Sequence, residues 1–325
     1  MQKLVSVIIP TYKRECVARA IDSVLKQSYE KFEVIVVDDN DSESMHRISL
    51  EIAMRKYKNN HKVKYLQHEK NKNGSAARNT GIRKAKGDYI AFLDDDDYFS
   101  PNRLEILVSN LEKNSDYDAA YSSAAFVRNR RIIDIGRAEM SGSYERELLL
   151  EKFQIFTGSN LFFTRKSILN LGGFDESFLR HQDYEVLIRF FKKYKILAVD
   201  KILVVKNSDD RSNIPTSEKL YEIKQKYFQT FRNSIDLMSE EEKKFFYKNN
   251  YLNLLKNSIA NKNKQIYKIV KKKLPILSFK EKMVVFLEKV NVLWNITGFK
   301  YIYKDFKLRK RLPQDILKLI DEVDI

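Results

Sequence analysis

Apolar and polar residues alternate in blocks along the first hundred positions. Residues 4–9 (LVSVII) form a short, mostly β-branched run closed by Pro10, which predicts a buried strand. Val17, Ala20, Ile21, Val24 and Leu25 follow with helical spacing. Residues 32–37 (FEVIVV) predict a second buried strand, 48–57 a helix and 63–66 a third strand. A helix over 75–86, stopped by Gly87, leads to a fourth strand at 89–93 (YIAFL). Strands recur about every 30 residues with helices between them, a βαβ pattern. The fold class is therefore α/β, a Rossmann-like, mostly parallel sheet flanked by helices. From about 118 to 205 the pattern is mixed, with one clear helix at 184–194. After Pro215 the chain is rich in Lys, Asn, Phe and Tyr, and stretches such as 243–259 and 280–292 read as helices.

In open parallel sheets, ligands bind outside the carboxyl ends of the strands. Three polar clusters fall at such ends: 11–14, 38–42 and 94–97. The successive carboxylates of Asp94, Asp95, Asp96 and Asp97 repel one another and need a cation or donors. Oxygen-only ligands suit Mg2+ or Mn2+, which take few carboxylates and complete their shell with phosphate oxygens and water. The same residues would also serve as a solvated acidic turn before a helix. Asp38-Asp39, with Thr11 and Tyr12, offers a carboxylate for a base N–H and a ring to stack on the base, or a capping Asp and a packing Tyr. Gly74-Ser75 opens a helix whose N-terminus and Arg78 would face either phosphate or solvent. Asp183, near the start of a later helix, is kept ionised by the helix dipole, ready to accept a proton or only to cap.

Composition narrows the choices. With 43% hydrophobic and 12% aromatic residues in 325, wholesale disorder is excluded. The single cysteine, Cys16, excludes a disulfide framework and a multi-cysteine metal site. The four histidines lack zinc spacing, and no nucleophile elbow, P-loop or Gly-x-Gly-x-x-Gly follows the first strand. The net charge is +16, and residues 215–325 alone hold 24 Lys/Arg against 13 Asp/Glu. Such a balance implies a polyanionic partner. No nucleic-acid motif is present, so nucleic acid is not expected as a partner; an anionic membrane surface or a phosphorylated substrate fits. Basic clusters at 271–273 and 307–311, interleaved with Phe299, Tyr301, Tyr303 and Phe306, suit peripheral docking on anionic lipid, or a helical appendage that packs on the first domain or makes an oligomer. No stretch has the length and apolarity of a membrane span, and the expected location is cytoplasmic, peripheral on the inner face of the cell membrane.

Taken in order, SVIIPTYKR, SVLKQSYEKFEVIVVDD, NGSAARNTGI, GDYIAFLDDDD and GGFDESF followed by QDYE resemble glycosyltransferase family 2. The resemblance covers residues 3–214. It implies the GT-A fold and an inverting, metal-dependent transfer from a nucleotide-sugar, usually UDP-linked. It also implies roles. Tyr12 and Asp39 would hold the nucleobase, with the backbone at Pro10 and Thr11 shaping the pocket and Arg78 near the base or diphosphate. Asp94 and Asp95 would face the ribose and the metal's waters, Asp96 would ligate Mn2+ or Mg2+, and Asp183 would be the catalytic base. Residues 158–160 and the Gly172-Gly173 turn would lie on the acceptor side. The family usually has Glu-Asp where this chain has Gln182-Asp183; Gln cannot act as a base, so that role rests on Asp183. Lys206 and Arg211 lie where the family often closes a loop over the diphosphate, or form a basic surface loop.

The expected organisation is a GT-A catalytic domain over 1–214, with nucleotide binding in about the first hundred residues, and a basic helical region over 215–325. The expected acceptor is a hydroxyl of a bacterial surface glycan, carried on a polyprenyl diphosphate. Two other readings are a nucleotidyltransferase of similar fold, which would not need Asp183, and a non-catalytic scaffold that binds glycan or membrane.

Overall fold

A computed structural model describes residues 2–14, 16–208, 215–274 and 312–321, with isolated positions 282, 283, 285, 305, 308 and 309. Arg211, the aromatics at 299–306, most of the 307–311 basic cluster and nearly all of the helix expected at 280–292 lie outside the described residues.

The first strand, β1 (Val5–Thr11), buries almost every residue because neighbours flank it on both sides. It pairs in parallel with β2 (Phe32–Asp38) and with β4 (Tyr89–Phe92), and β2 pairs in parallel with β3 (Val63–Gln67). The connecting helices are α1 (Val17–Leu25), α2 (Met45–Met54, extended by a 3-10 turn to Tyr57) and α3 (Gly74–Lys84). Helix α1 turns Val17, Ala20, Ile21 and Val24 into the core, as the 3.6-residue period requires. Helix α3 lies so close to β1 that a Cβ at Gly81 would meet Ile8 Cγ2 at 2.4 Å. Only glycine allows that approach.

Beyond β4 the sheet becomes mixed. The order is β3-β2-β1-β4-β8-β6-β9-β5, with β7 on the side of β6. The added strands are β5 (Tyr98–Phe99), β6 (Ala119–Arg128), β7 (Arg131–Gly136), β8 (Phe162–Thr164) and β9 (Ile196–Asn207). Strands β6 and β9 run parallel, whereas β4–β8, β6–β8, β5–β9 and β6–β7 are antiparallel. The mostly parallel sheet of the sequence reading is thus parallel through its first four strands and mixed beyond them. Helices α4 (Arg103–Lys113), α5 (Glu145–Leu149), α6 (Arg165–Asn170) and α7 (Gln182–Phe191) complete this part of the chain. The order 3-2-1-4 reverses direction at β1, and the switch opens a crevice at the carboxyl ends of β1 and β4.

The chain divides into two compact units. One comprises Met1–Glu145, Phe153–Asp209 and Lys307–Ile325, the other Arg146–Lys152 and Asp210–Phe306. This differs from a single cut after residue 214. Residues 146–152 group with the second unit, and the last described helix, α12 (Gln314–Asp321), groups with the first. Leu312, Ile316 and Ile320 close an apolar cluster with Tyr98, Ala125, Val127, Ile132, Ile202 and Val205 of the first unit.

The second unit contains α8 (Ser217–Thr230), α9 (Arg232–Asp236), α10 (Glu240–Ala260) and α11 (Lys264–Lys273). Helix α10 starts on a capping box between Ser239 and Glu242. The core is aromatic: Phe228 packs edge-on against Phe246, Tyr247 and Tyr251. Among the described residues, no helix is long and apolar enough to cross a membrane.

Candidate active site

The crevice is built from strand ends. The backbone N–H of Asp39 donates to the Thr11 carbonyl at 2.9 Å, which locks the end of β2 to that of β1. Pro10 lies within β1, opposite Val37. Thr11 is buried, whereas Tyr12 is 38% exposed. Lys13 then takes a left-handed conformation, φ 56°, and its N–H donates to Asn40 Oδ1 at 2.8 Å. Left-handed lysine is strained, and such strain clusters at functional sites.

Asp39 is buried and its carboxylate is engaged by the protein. It pairs with His68 Nδ1 at 2.7 Å and accepts from the Asn71 amide at 2.8 Å. It also accepts the N–H groups of Lys72 at 2.8 Å and Asn73 at 2.9 Å. Four contacts fill its two oxygens. Asp39 therefore shapes the loop that leads into α3. Asn73 then caps α3, accepting from Ser75 and Ala76.

The aspartate run follows β4 as a tight turn, with the Asp97 N–H on the Asp94 carbonyl at 3.1 Å. The four carboxylates divide among three sets of partners. Asp94 Oδ1 accepts from Arg78 Nη2 at 2.6 Å. Arg14 Nη1 lies 2.8 Å from Asp96 Oδ2, and Arg14 Nε 3.5 Å from Asp95 Oδ1. Asp97 is buried and accepts from Thr157 at 2.9 Å, Ser159 at 2.6 Å and the Asn207 N–H at 3.0 Å. Burial and the charge of Asp96 push Asp95 and Asp97 each up to about 7. Burial, with Asp94 adding to it, raises Asp96 as well. Carboxylates crowded in this way favour a proton or a cation.

Arg78 joins this run to α7. Its second terminal nitrogen, Nη1, donates to Gln182 Oε1 at 2.7 Å, and Gln182 donates on to the Phe178 carbonyl at 3.0 Å. Asp183, next to Gln182, is half-buried and accepts the N–H of Tyr184 at 3.0 Å. Burial raises its pKa, while the charges of Arg78 and Lys206 hold the rise back. Lys206, at the end of β9, is penalised by burial, yet the fields of Asp97, Asp94, Asp96 and Asp183 outweigh that and raise its pKa. The aspartate run and Asp183 therefore share one basic centre, made by Arg78 and Lys206.

Several residues of this site were not singled out from the sequence. Arg103 on α4 is fully buried and donates to Ser122 Oγ at 2.8 Å and to the carbonyls of Ser159 and Asn160 at 3.3 and 3.2 Å. It holds the 3-10 turn Gly158–Asn160 against the aspartate run. Leu104 and Leu107 on the buried face of α4 were the available hint that Arg103 points inward. Asn79 on α3 grips the backbone of Phe174 in both directions, each at 2.8 Å, which fixes the Gly172-Gly173 turn.

Among the described residues, no three acidic, imidazole or thiol groups close on one point as a ready-made metal cage. The donor set is nonetheless all oxygen, on adjacent residues of one turn. It fits a divalent ion that takes one or two carboxylates and completes its shell from phosphate and water.

The sheet with its 3-2-1-4 switch and the crevice lined by carboxylates define a GT-A-type fold. The Glycosyl transferase family 2 model matches residues 6–172, and the chain belongs to that family. An uncharacterised glycosyltransferase of Rickettsia bellii is 42% identical over 112 residues, 34% of this chain and 15% of that protein. The amylovoran biosynthesis glycosyltransferase AmsB of Erwinia amylovora is 30% identical over 57% of this chain and 62% of its own length. The chain thus spans less than two thirds of both of these relatives. The Escherichia coli UDP-Glc:alpha-D-GlcNAc-diphosphoundecaprenol beta-1,3-glucosyltransferase WfgD is 29% identical over 69% of this chain and 84% of its own. Among solved structures, S. aureus TarS in complex with UDP-GlcNAc aligns with a TM-score of 0.58 at 18% identity, covering 83% of this chain and 81% of that one. The mannosyltransferase PcManGT from Pyrobaculum calidifontis, in complex with GDP-Man and Mn2+, aligns with a TM-score of 0.55 at 17% identity, covering 92% and 88%.

Proposed function

We propose that this chain is an inverting glycosyltransferase that moves a sugar from a UDP-sugar to a hydroxyl of a glycan acceptor during synthesis of a bacterial surface polysaccharide. The observation that carries the reading is Arg78, bonded at once to Asp94 and to Gln182 beside Asp183. It draws the donor-side carboxylates and the base to a single centre. The names of AmsB and WfgD support polysaccharide synthesis, and that of WfgD supports an acceptor carried on a polyprenyl diphosphate. TarS with UDP-GlcNAc supports a uridine donor.

In this reading Tyr12 covers the base, and Asp39 acts through the loop it holds. Asp96, with Asp94 and Asp95 beside it, holds Mn2+ or Mg2+, which when bound neutralises charge on the leaving diphosphate. Arg78 and Lys206 supply fixed positive charge for that same leaving group. Asp183 accepts the acceptor's hydroxyl proton as the oxygen attacks the anomeric carbon. The bond from that carbon to the diphosphate oxygen breaks, and UDP leaves from the opposite face, so the configuration inverts. A pKa raised by burial brings Asp183 closer to working pH, as a general base requires.

The test is a screen of UDP- and GDP-sugars for donor hydrolysis with Mn2+, run against Asp96→Ala and Asp183→Ala. Turnover of one donor, lost in both variants, supports the reading. Equal turnover in all three proteins rejects it. A nucleotidyltransferase would survive Asp183→Asn, and a scaffold would bind no UDP in calorimetry. Docking on the inner face of the membrane is read separately by flotation with anionic liposomes, comparing the native chain with Lys271, Lys272 and Lys273 changed to Glu. Salt-insensitive absence of binding ends that part of the reading.

A further inference from the structure

The turn between β1 and α1 aims an arginine at the carboxylates that the glycosyl-transfer reading assigns to the metal. Lys13 makes this happen. Its left-handed φ of 56°, held by the bond from its N–H to Asn40 Oδ1, turns the chain back toward the aspartate run. Arg14 follows and reaches Asp96 Oδ2 with Nη1 at 2.8 Å and Asp95 Oδ1 with Nε at 3.5 Å. The backbone of the run is gripped independently: Arg19 Nη2 donates to the Asp96 carbonyl at 3.0 Å and Cys16 Sγ to that of Asp95 at 3.3 Å. The Asp96 side chain can therefore change partner while its main chain stays in place.

We propose that the Arg14 guanidinium is a resident counter-cation that competes with the divalent ion for Asp96. The inference rests on the metal-dependent transfer reading and adds to it a residue and a consequence. A divalent ion placed on Asp96 Oδ2 would stand about 4 Å from a guanidinium nitrogen 2.8 Å from that oxygen, so the two like charges repel each other. Arg14 is a long, flexible side chain with 14% of its surface exposed, and the run's backbone does not depend on it. Ion binding before the donor arrives is weakened by the work of displacing Arg14. A diphosphate, which offers that arginine a bidentate partner, removes the penalty.

The experiment titrates Mn2+ into the native chain and into Arg14→Gln, Arg14→Met and Arg14→Lys without nucleotide, following free Mn2+ by electron paramagnetic resonance. Both neutral variants should bind Mn2+ about tenfold tighter than the native chain, since a like charge beside the ion is removed. Arg14→Lys, which keeps the charge, should stay within about threefold of native. Asp96→Asn should abolish binding in every background. Two neutral variants are used so that misfolding of one, seen as a lost thermal transition, leaves the other to decide. Native-like or weaker Mn2+ binding by the folded neutral variant overturns the proposal, as does Arg14→Lys binding as tightly as Arg14→Gln. Failure of the native chain to bind Mn2+ even with UDP present is a different result: it removes the metal reading itself, and this proposal with it.

Discussion

Ser159 donates its hydroxyl to the Asp97 carboxylate across 2.6 Å and accepts the backbone N–H of Asp94 at 2.9 Å. A buried acid thus holds the first residue of the run from behind, through one hydroxyl. Asp97→Asn replaces one of two acceptor oxygens, either Oδ2, which takes Thr157 and Ser159, or Oδ1, which takes the Asn207 N–H, by an amide NH2 that cannot accept. Unpairing such groups costs about 1–3 kcal/mol. The thermal transition should drop by several degrees, and kcat should fall at least ~10-fold because Asp94 loses its support. Steady-state kinetics alongside a melt checks both. Native kcat in a destabilised variant would confine Asp97 to folding.

Gln182 meets Arg78 where a carboxylate would neutralise it. Gln182→Glu places a negative charge beside both Arg78 and Asp183. The donor KM should rise roughly fivefold, equivalent to about 1 kcal/mol of lost attraction for the diphosphate. The new carboxylate also disfavours the ionised form of Asp183, so the acid limb of kcat/KM should move to higher pH. A pH–rate profile whose acid limb stays where it was would argue against Asp183 as the base.

Gly173 adopts φ +77°, and a Cβ there would lie 2.4 Å from Asn79 Oδ1. Gly173→Ala would both strain the backbone, by about 1–2 kcal/mol, and displace the amide that clamps Phe174. We expect a lower unfolding temperature and an impaired turnover, measured by calorimetry and donor hydrolysis. Asn79→Ala should reproduce the loss of stability without the backbone strain.

Lys224 in the second unit is buried and donates to Asn250 Oδ1 at 2.8 Å. Burial pulls its pKa from 10.5 down to about 8. Between those two values the unfolded chain binds more protons than the folded one, so this group's contribution to stability rises with pH across about 8 to 10.5. Below that window both states are charged and the full desolvation cost is present. The unfolding temperature of the native chain relative to Lys224→Met should therefore climb by a few degrees from pH 7.5 to pH 10, a range chosen to bracket the lower value. A difference that stays flat with pH would mean the lysine is hydrated and charged in the folded state as it is in the unfolded one.

Much of the first hundred residues was readable in advance. The β-branched runs before Pro10 and Asp38 are β1 and β2, and the 17–25 periodicity is α1 residue for residue. Those signals are local. The site depended on less local facts. That Arg14 meets Asp96, 82 positions away, follows from a left-handed lysine that no period reveals. Asp39 reads as an acceptor waiting for a ligand, but His68 and Asn71 to Asn73 come from the next loop and engage it. The parallel pairing of β6 with β9, interrupted by irregular register, is likewise invisible in strand composition.

The return of α12 to the first unit has a consequence for biogenesis. Of the residues covered, Tyr98 and Val127 are translated well before Ile202 and Val205, and even these last two precede Leu312, Ile316 and Ile320 by about a hundred residues. At about 5–20 residues per second, that apolar face emerges from the ribosome and waits for on the order of ten seconds. A nascent chain stalled in this interval would present a nearly finished sheet with one sticky flank, which is where chaperone capture, or aggregation in its absence, should concentrate.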